Sequence, residues 1–257
     1  MTLSVVIIAK DEERTIGKVL DAVADIADEM ILVDSGSSDR TMEIAKEKGA
    51  NVLHQDWLGY AAQKNFALGL AKGDWILSLD ADEVVTPELR AEIKALLAGA
   101  ESRSESNSMS GYKIPRALYI GDVRVAHGGF YPDAQLRLIR NGAGKFNDRM
   151  VHESIKIDGP VGMLANEMRH FAYKDVAQFS EAMDKYARLS AREFAKQGRG
   201  GWKAHPVNEM LHPAWTFMYR YFLRGGIIDG ALGLQLATIY SDYVRRKIRY
   251  LREELQS

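Results

Sequence analysis

The 257-residue chain contains no cysteine, so it can form no disulfide and offers no thiolate as a nucleophile or metal ligand. No run of the sequence approaches the roughly 18 apolar residues that suggest a membrane-spanning helix. The formal net charge is only −1, which does not indicate a general affinity for nucleic acid. These absences argue against a disulfide-stapled secreted domain, an integral membrane protein and a nucleic-acid-binding protein.

Targeting and dinucleotide-binding signals are also missing. The first residues lead directly into the apolar run Leu3–Ala9, with neither a basic segment nor a cleavage site before it. We therefore expect a first strand instead of a signal peptide, and a cytoplasmic protein. No GxGxxG fingerprint follows this strand, which argues against a Rossmann dehydrogenase.

The most informative stretch is the apolar run Trp75–Leu79, which ends in Asp80, Asp82 and Glu83. A buried strand has this pattern, and open α/β sheets bind their ligands at the carboxyl ends of strands. Clustered carboxylates there favour a divalent cation that bridges to phosphate oxygens. The alternative is a plain helix start, in which Asp82 caps the helix that begins near Pro87.

The first third of the chain alternates between strand and helix patterns. Strands are predicted at Leu3–Ala9, Met30–Val33, Asn51–His54 and Trp75–Leu79, and helices at Glu12–Ala27, Asp39–Lys48, Tyr60–Ala71 and Pro87–Ala98. Short strands joined by helices imply right-handed crossovers and a mostly parallel sheet. One edge of that sheet would then collect the polar residues Asp11, Asp34, Asp39, Asp80 and Asp82.

The remaining sequence changes character twice. The serine-rich segment Glu101–Ser110 is typical of a flexible connection. Strands are predicted after it at Tyr112–Ala117, Gln135–Arg140 and Val151–Ile157. After His170 the pattern becomes helical, and Asp175 with Gln178 forms a box-like helix start. Later helices, around Trp215–Leu223 and from Asp229 onward, mix aromatic with basic residues, among them Arg220, Arg224, Arg245, Arg246, Lys247 and Arg249. This mixture fits either an anionic membrane surface or a helical cap with a solvated basic face.

Four segments carry a combination of motifs: Ser4–Glu13, Val33–Asp39, Trp57–Asn65 and Leu79–Glu83. Together they resemble a family 2 glycosyltransferase of the GT-A fold, and the resemblance is strong through about residue 98. It continues more weakly in Gln135–Leu138 and Val151–Glu153. The segment Gln63–Asn65 is most similar to the lipopolysaccharide-core β-1,4-glucosyltransferase branch. Asp11 stands where the family more often has asparagine.

The resemblance implies an α/β fold: a GT-A-type, mostly parallel sheet flanked by helices, with antiparallel additions and a C-terminal helical extension. Residues 1–98 would form the nucleotide-sugar-binding half, and residues 99–110 the flexible connection. Residues 111–174 would form the acceptor-side half, and residues 175–257 the helical extension at the membrane surface.

The resemblance also implies roles for individual residues. Asp34 would contact the uracil ring, and the full expected donor-binding set is Ala9, Lys10, Glu12, Asp34, Ser35, Lys64, Asp80 and Ala81. The expected metal ligands are Asp80, Asp82 and His170, with His152 as a rival to His170. The ion would be Mg²⁺ or Mn²⁺, and an imidazole ligand favours Mn²⁺.

The catalytic base is expected to be Glu153, which follows the acceptor-side strands in a family-like Val-His-Glu sequence. A positioned carboxylate typically contributes a factor of ~10²–10⁴ in rate. In a regular strand His152 would point away from Glu153, so both can serve one site only if the strand begins after them. Asp133 is the second choice, and a buried ion pair is the alternative role for Glu153.

The leading hypothesis is an inverting, metal-dependent glycosyltransferase that moves a hexose, expected to be glucose, from a UDP-sugar to a lipopolysaccharide-core or other lipid-linked glycan. Its partners would be UDP-glucose, the glycan or glycolipid acceptor and an anionic membrane surface on the inner face of the cytoplasmic membrane. Two alternatives are a non-catalytic nucleotide-sugar-binding module and a nucleotidyltransferase. The latter normally needs a glycine-rich phosphate loop with a basic residue, for which only Lys10 is available.

Overall fold

The fold is that of a computed structural model, which describes residues 1–99, 109–147, 154–198 and 200–256. Most of the serine-rich connection, together with His152 and Glu153, lies outside these ranges. The chain forms two compact units. The first unit comprises Met1–Arg116 and Asp133–Phe171, and the second comprises Ala117–Pro132 and Ala172–Ser257.

Strands and helices alternate through residue 99, as the sequence predicts. The elements are β1 (Leu3–Ala9), α1 (Ile16–Asp21), β2 (Glu29–Asp34), α2 (Thr41–Glu47), β3 (Asn51–His54), α3 (Tyr60–Leu70), β4 (Trp75–Asp80), β5 (Glu83–Val85) and α4 (Pro87–Gly99). Shorter strands follow: β6 (Gly111–Ile114), β7 (Arg116–Ile120), β8 (Val123–Val125), β9 (Gln135–Arg140), β10 (Gly144–Phe146), β11 (Ile155–Ile157), β12 (Val161–Met163) and β13 (Met168–Tyr173).

Helix α1 is shorter than its periodicity predicts: it ends at Asp21, whereas the prediction extends to Ala27. The chain continues in tighter turns, in which Val23 N donates to Leu20 O and Ile26 N donates to Val23 O. The apolar spacing still buries Val23 completely. Periodicity therefore identified the buried face but not the point where the α-helical hydrogen bonding stops.

The central sheet belongs to the first unit, where seven described strands lie in the order β12-β6-β9-β4-β1-β2-β3. Strand β1 runs parallel to both β2 and β4, whereas β9 is antiparallel to β4 and β6. The register sets Ile8 opposite Asp80 and Ala9 opposite Asp34. The carboxylates at the ends of β2 and β4 therefore flank the end of β1, which confirms the predicted acidic edge. The fold is therefore mixed α/β with a mostly parallel central sheet, as predicted.

The parallel strands are apolar on both faces because helices cover both faces. Val5 and Ile7 pack in the cluster that contains residues of α1 and α4, whereas Val6 packs in the cluster that contains residues of α3. Trp75 at the start of β4 is 1 % exposed. This two-sided burial holds the strand ends at fixed positions.

The second unit is mainly helical in its described part. It contains α5 (Val176–Lys196), α6 (Pro206–Met218), a π-helical segment (Tyr219–Leu223), a 3₁₀ turn (Gly226–Asp229) and α7 (Gly230–Glu254). Helix α5 begins as predicted: Gln178 N donates to Asp175 Oδ1 over 2.8 Å, and Lys174 N donates to Gln178 Oε1 over 2.7 Å. Helix α7 packs against both α5 and α6. None of the described helices combines the length and apolar character needed to cross a bilayer.

The start of α7 gives a test of this packing. A methyl group added at Gly233 would overlap the carbonyl oxygen of Gly226, whereas one added at Gly69 in α3 would meet nothing. We expect Gly233→Ala to lower the melting temperature and Gly69→Ala to leave it unchanged or raise it, since alanine is the better helix former by ~1 kcal/mol. Thermal unfolding followed by circular dichroism measures both, and an unchanged Gly233→Ala protein would contradict the close approach.

Candidate functional site

Asp34 is fully buried, and its carboxylate organises the loop that follows β2. Oδ2 accepts hydrogen bonds from Gly36 N at 2.8 Å and Ser37 N at 3.0 Å, and Oδ1 accepts one from Ser37 Oγ. Ser35 N donates to Ala9 O over 3.0 Å, which ties the loop to the end of β1. The predicted donor residues Ala9, Asp34 and Ser35 thus form one connected backbone structure.

Gln63 also stabilises this loop, although it was not predicted as a site residue. Gln63 of α3 is fully buried and donates from Nε2 to Ser35 Oγ at 3.1 Å and to Gln55 O at 3.0 Å. Its Oε1 accepts from Leu58 N at 3.3 Å. The signal for this role was its place in the family-like segment Gln63–Asn65.

The loop after β1 carries the remaining predicted nucleoside-side residues. Asp11 has a left-handed backbone (φ 55°), and its Oδ1 accepts from Ser38 N at 2.7 Å. Asparagine tolerates the same conformation, so the departure from the family pattern leaves the loop's geometry intact. Glu12 N donates to Thr41 Oγ1 over 2.7 Å, whereas the side chain of Lys10 is exposed.

Asp80 at the end of β4 is held between two cations. Lys64 Nζ lies 2.7 Å from Oδ1, and Arg137 Nη2 lies 2.5 Å from Oδ2. Burial by itself would raise the pKa of Asp80, but the charges of Arg137 and Lys64 outweigh it and hold the pKa well below its ordinary value. Asp80 therefore stays ionised, and Lys64 is only 6 % exposed, so it is not a solvated surface lysine of α3. The following Ala81 is buried.

Glu83 is the centre of a buried ion network that we call the Glu83 network, made of Asp80, Glu83, Arg116, Asp133 and Arg137. The fully buried Glu83 accepts from Arg116 Nη1 at 2.9 Å and from Arg137 Nη2 at 2.6 Å. Its other oxygen accepts from Asp80 N at 3.0 Å. Arg137 Nε is buried without a hydrogen-bond partner in the described part of the chain. Neither arginine was predicted, although Arg137 lies in the family-like segment Gln135–Leu138.

Asp133, the second choice for the base, belongs to this network. Arg116 donates from Nε at 3.0 Å and from Nη2 at 2.5 Å to Asp133 Oδ2, and Gln135 Nε2 donates to Oδ1 at 2.7 Å. Burial raises the pKa of Asp133, but Arg116, Gln135 and the charge of His170 together hold the pKa below its ordinary value. A carboxylate bound in this way is a poor proton acceptor. The first choice, Glu153, lies outside the described residues.

Asp82 and His170 face one another beside the Glu83 network. His170 Nε2 lies 3.4 Å from Asp82 Oδ2, and Phe171 N donates to Asp82 O over 2.9 Å. Glu12 is close enough that Asp82 influences it: burial chiefly, and then the charge of Asp82, raise the pKa of Glu12. The structure thus brings together the loop after β1, the end of β4 and strand β13.

These residues fit part of a metal site. Across the described ranges, no group of three or more histidine and carboxylate side chains is arranged to hold an ion. Asp82 and His170 nevertheless present one oxygen and one nitrogen at a separation that one cation can bridge. Mg²⁺ in phosphate-binding sites is commonly held by one or two protein groups, with substrate phosphates and water completing the shell. The two residues fit that arrangement. Asp80 would become a metal ligand only if its ion pair with Lys64 or with Arg137 were broken.

Comparisons with known proteins identify the family. The family model described as glycosyl transferase family 2 matches residues 4–104. An uncharacterized glycosyltransferase of Rickettsia bellii (strain RML369-C) is 30 % identical, over 98 % of this chain and 86 % of its own. The lipopolysaccharide core biosynthesis glycosyltransferase LpsC of Rhizobium meliloti (strain 1021) is 27 % identical, over 100 % of this chain and 95 % of its own.

One solved structure supports the fold. A crystal structure of glucosyl-3-phosphoglycerate synthase from Mycobacterium tuberculosis, in complex with phosphoglyceric acid, aligns with a TM-score of 0.52 at 17 % identity. The alignment covers 77 % of this chain and 80 % of that chain. At this level of identity the likeness concerns the architecture alone.

The Glu83 network predicts the effect of losing its central cation. Arg137→Met leaves Glu83 and Asp80 with one cation each, and we expect the free energy of unfolding to fall by ~3–5 kcal/mol, as when one partner of a buried pair is removed. Arg192→Met, which breaks an exposed pair with Glu254, should cost at most ~1 kcal/mol. Urea denaturation compares the two variants, and equal losses would contradict a stabilising network.

The same network predicts a pH dependence. The pKa of Asp80 is lower in the folded chain than in the unfolded chain, so its stabilisation is present above the unfolded value of about 4 and is lost as the pH falls below it. We expect the wild type to lose more stability than Arg137→Met between neutral and strongly acidic pH, since the variant has less of this term to lose. Denaturation at several pH values measures the difference, and parallel curves would refute the assignment.

Proposed function

The chain belongs to glycosyl transferase family 2, and we propose that it transfers glucose from UDP-glucose to a lipopolysaccharide-core or other lipid-linked glycan. The observation that carries the proposal is the register of the central sheet, which sets Asp34 and Asp80 on either side of the end of β1. A nucleoside at one carboxylate then has its diphosphate at the other. The similarity to LpsC, which is a lipopolysaccharide core biosynthesis glycosyltransferase, supports the lipopolysaccharide-core acceptor.

In this proposal the donor's nucleoside lies on the loops after β1 and β2. The carboxylate of Asp34 has acceptor capacity beyond the three donors of its own loop, but it is fully buried, so it would accept the N–H of the uracil ring only after a neighbouring side chain moves aside. Ala9, Lys10, Glu12 and Ser35 would line the rest of the nucleoside pocket. Because hydrogen bonds already fix the Asp34 loop, little conformational entropy would be lost when the donor binds.

The diphosphate would lie over Lys64, Asp80, Ala81 and Asp82. Asp82 and His170 would hold Mg²⁺ or Mn²⁺, with Asp80 acting through water or on the ribose. When bound, the ion supplies charge neutralisation to the leaving diphosphate. Lys64 is well placed for the same task, since its ammonium group is held within this region by Asp80 at 2.7 Å.

Deprotonation of the acceptor hydroxyl is assigned to Glu153. Asp133 is the weaker base because its lowered pKa reduces its tendency to take a proton. Glu153 would accept the proton as the hydroxyl oxygen attacks the anomeric carbon of the sugar on the face opposite the diphosphate. The family's inverting chemistry implies a single displacement without a covalent enzyme intermediate.

Both alternative functions are less well supported. The curated relatives named as glycosyltransferases align with nearly the whole of this chain, which favours a transferase over a passive binding module. A nucleotidyltransferase would use a basic, glycine-rich loop after β1. Here that loop carries Asp11 and Glu12, whose backbones are bound to Ser37 and Thr41.

The metal role predicts the behaviour of Asp82→Ala. We expect transfer to fall at least ~10³-fold with the fold intact, because the diphosphate charge is no longer neutralised. Asp25→Ala is the matched control, since that aspartate is exposed and pairs with Arg90 at 3.1 Å. A panel of nucleotide sugars, scored by nucleotide release with and without acceptor glycan and with excess chelator, measures activity. Full activity of Asp82→Ala or of the chelated enzyme would refute the metal role.

The base assignment predicts a separation of binding from turnover. We expect Glu153→Gln to bind UDP as tightly as the wild type and to lose transfer by ~10²–10⁴-fold. Isothermal titration with UDP and a transfer assay measure the two effects. If Glu153→Gln turns over normally while Asp133→Asn does not, the base is Asp133 and the pKa argument above is wrong.

A further inference from the structure

The second unit exposes an unusually apolar surface on one side of α6 and of the π-helical segment. We call this surface the α6 face and define it by Met210, Leu211, Trp215, Met218, Phe222 and Leu223. Met210 is 76 % exposed, Trp215 is 63 % exposed and Leu223 is 67 % exposed. Further exposed apolar side chains flank it, at Trp202 before α6 and at Ile227 and Ile228 in the following 3₁₀ turn.

The α6 face is not the side on which α6 packs. Helix α6 buries Asn208 and Pro213, and Ser241 of α7 donates to Pro213 O over 2.8 Å. Helix α5 packs on α7 as well. The described part of the unit thus has a complete helical packing arrangement without the α6 face. Several large apolar side chains exposed together on one helix face indicate an interaction site.

Charges around the α6 face have one sign. Lys203 and Arg224 are exposed, whereas both carboxylates in the described stretch 200–234 are engaged. Glu209 pairs with Arg249 at 3.0 Å and with Arg252 at 2.7 Å. Asp229 accepts from His127 N at 2.9 Å and is 10 % exposed. The exposed charges of this stretch that pair with no described carboxylate are therefore cationic, although the Lys203 ammonium lies 4.7 Å from the ring centroid of Phe194 and Arg224 Nη1 lies 3.5 Å from Tyr219 Oη.

The basic cluster that the sequence singled out on α7 is less suited to meet a membrane. Arg246 binds Asp184 and Asp242, and Arg249 binds Glu209. The Lys247 ammonium lies over aromatic rings, and burial lowers its pKa. These cations are neutralised or covered within the unit, so they offer few charges to lipid headgroups.

We propose that the α6 face inserts into the interfacial region of an anionic lipid bilayer, with Lys203 and Arg224 meeting headgroup phosphates. Exposed tryptophan and phenylalanine beside cations are the composition of helices that lie in this region. A second copy of the chain is disfavoured as the occupant, because cations would meet cations across a two-fold interface. The proposal goes beyond the proposed function, since bilayer binding requires neither donor nor acceptor.

The test uses the full chain and vesicles of phosphatidylcholine with phosphatidylglycerol. We expect co-sedimentation with these vesicles and at least tenfold weaker binding for Leu211→Ser/Trp215→Ser, because binding scales with the apolar area inserted. The matched control is Trp57→Ser/Leu58→Ser, which removes the same two residue types at similar exposure (48 % and 51 %) from the first unit. Its binding should equal that of the wild type. Equal binding of both double variants would overturn the proposal.

Two further measurements separate lipid from the other occupants. Quenching of fluorescence by brominated lipid should be strong in the wild type and markedly reduced in Trp215→Phe, which keeps an apolar ring while removing the indole. Binding should also be weaker to pure phosphatidylcholine. If light scattering instead finds a lipid-free dimer that Leu211→Ser/Trp215→Ser dissociates, with no vesicle binding by the wild type, the face is a subunit interface. These readouts do not depend on glycosyl transfer, so failure here leaves the proposed function untouched.

Discussion

The ion network around Glu83 is the interaction on which the candidate site depends. The fully buried Glu83 and the partly exposed Asp80, at the turn from β4 to β5, would be costly without partners, and they are tolerated because Arg137 and Arg116 contact them from β9 and β7. Since each arginine pairs with two carboxylates, the loss of either arginine would remove an ion pair from two carboxylates at once. The edge of the sheet that carries these carboxylates is thereby connected to strands β7 and β9.

The two carboxylates that flank the end of β1 are held in different ways. Asp34 accepts hydrogen bonds from neutral donors of its own loop, so contacts within the chain fix the shape of this loop. Asp80 is instead held by direct contacts with the cations Lys64 and Arg137. In the proposed donor complex, the uncharged environment would receive the neutral base and the charged one the anionic diphosphate.

The sequence predicted the parts of the fold that depend on local pattern. The four parallel strands, the acidic edge and the capped start of α5 follow from apolar runs and from the side chains that end them. The Glu83 network was missed because Arg137 meets Asp80 across 57 positions, a separation over which no pattern operates. Likewise, the basic residues of α7 read as a charged surface, since nothing in their spacing reveals that Glu209 and Asp184 pair with them.

The ion pairs of the Glu83 network depend on the correct register between β4 and β9. In this register Leu77 lies opposite Leu138. The neighbouring residue Arg137 contacts Asp80. A slip of one residue would still pair apolar strands, yet it would turn Arg137 to the opposite face of the sheet and leave Glu83 with a single cation. The network therefore destabilises a misaligned sheet that hydrophobic burial alone would tolerate.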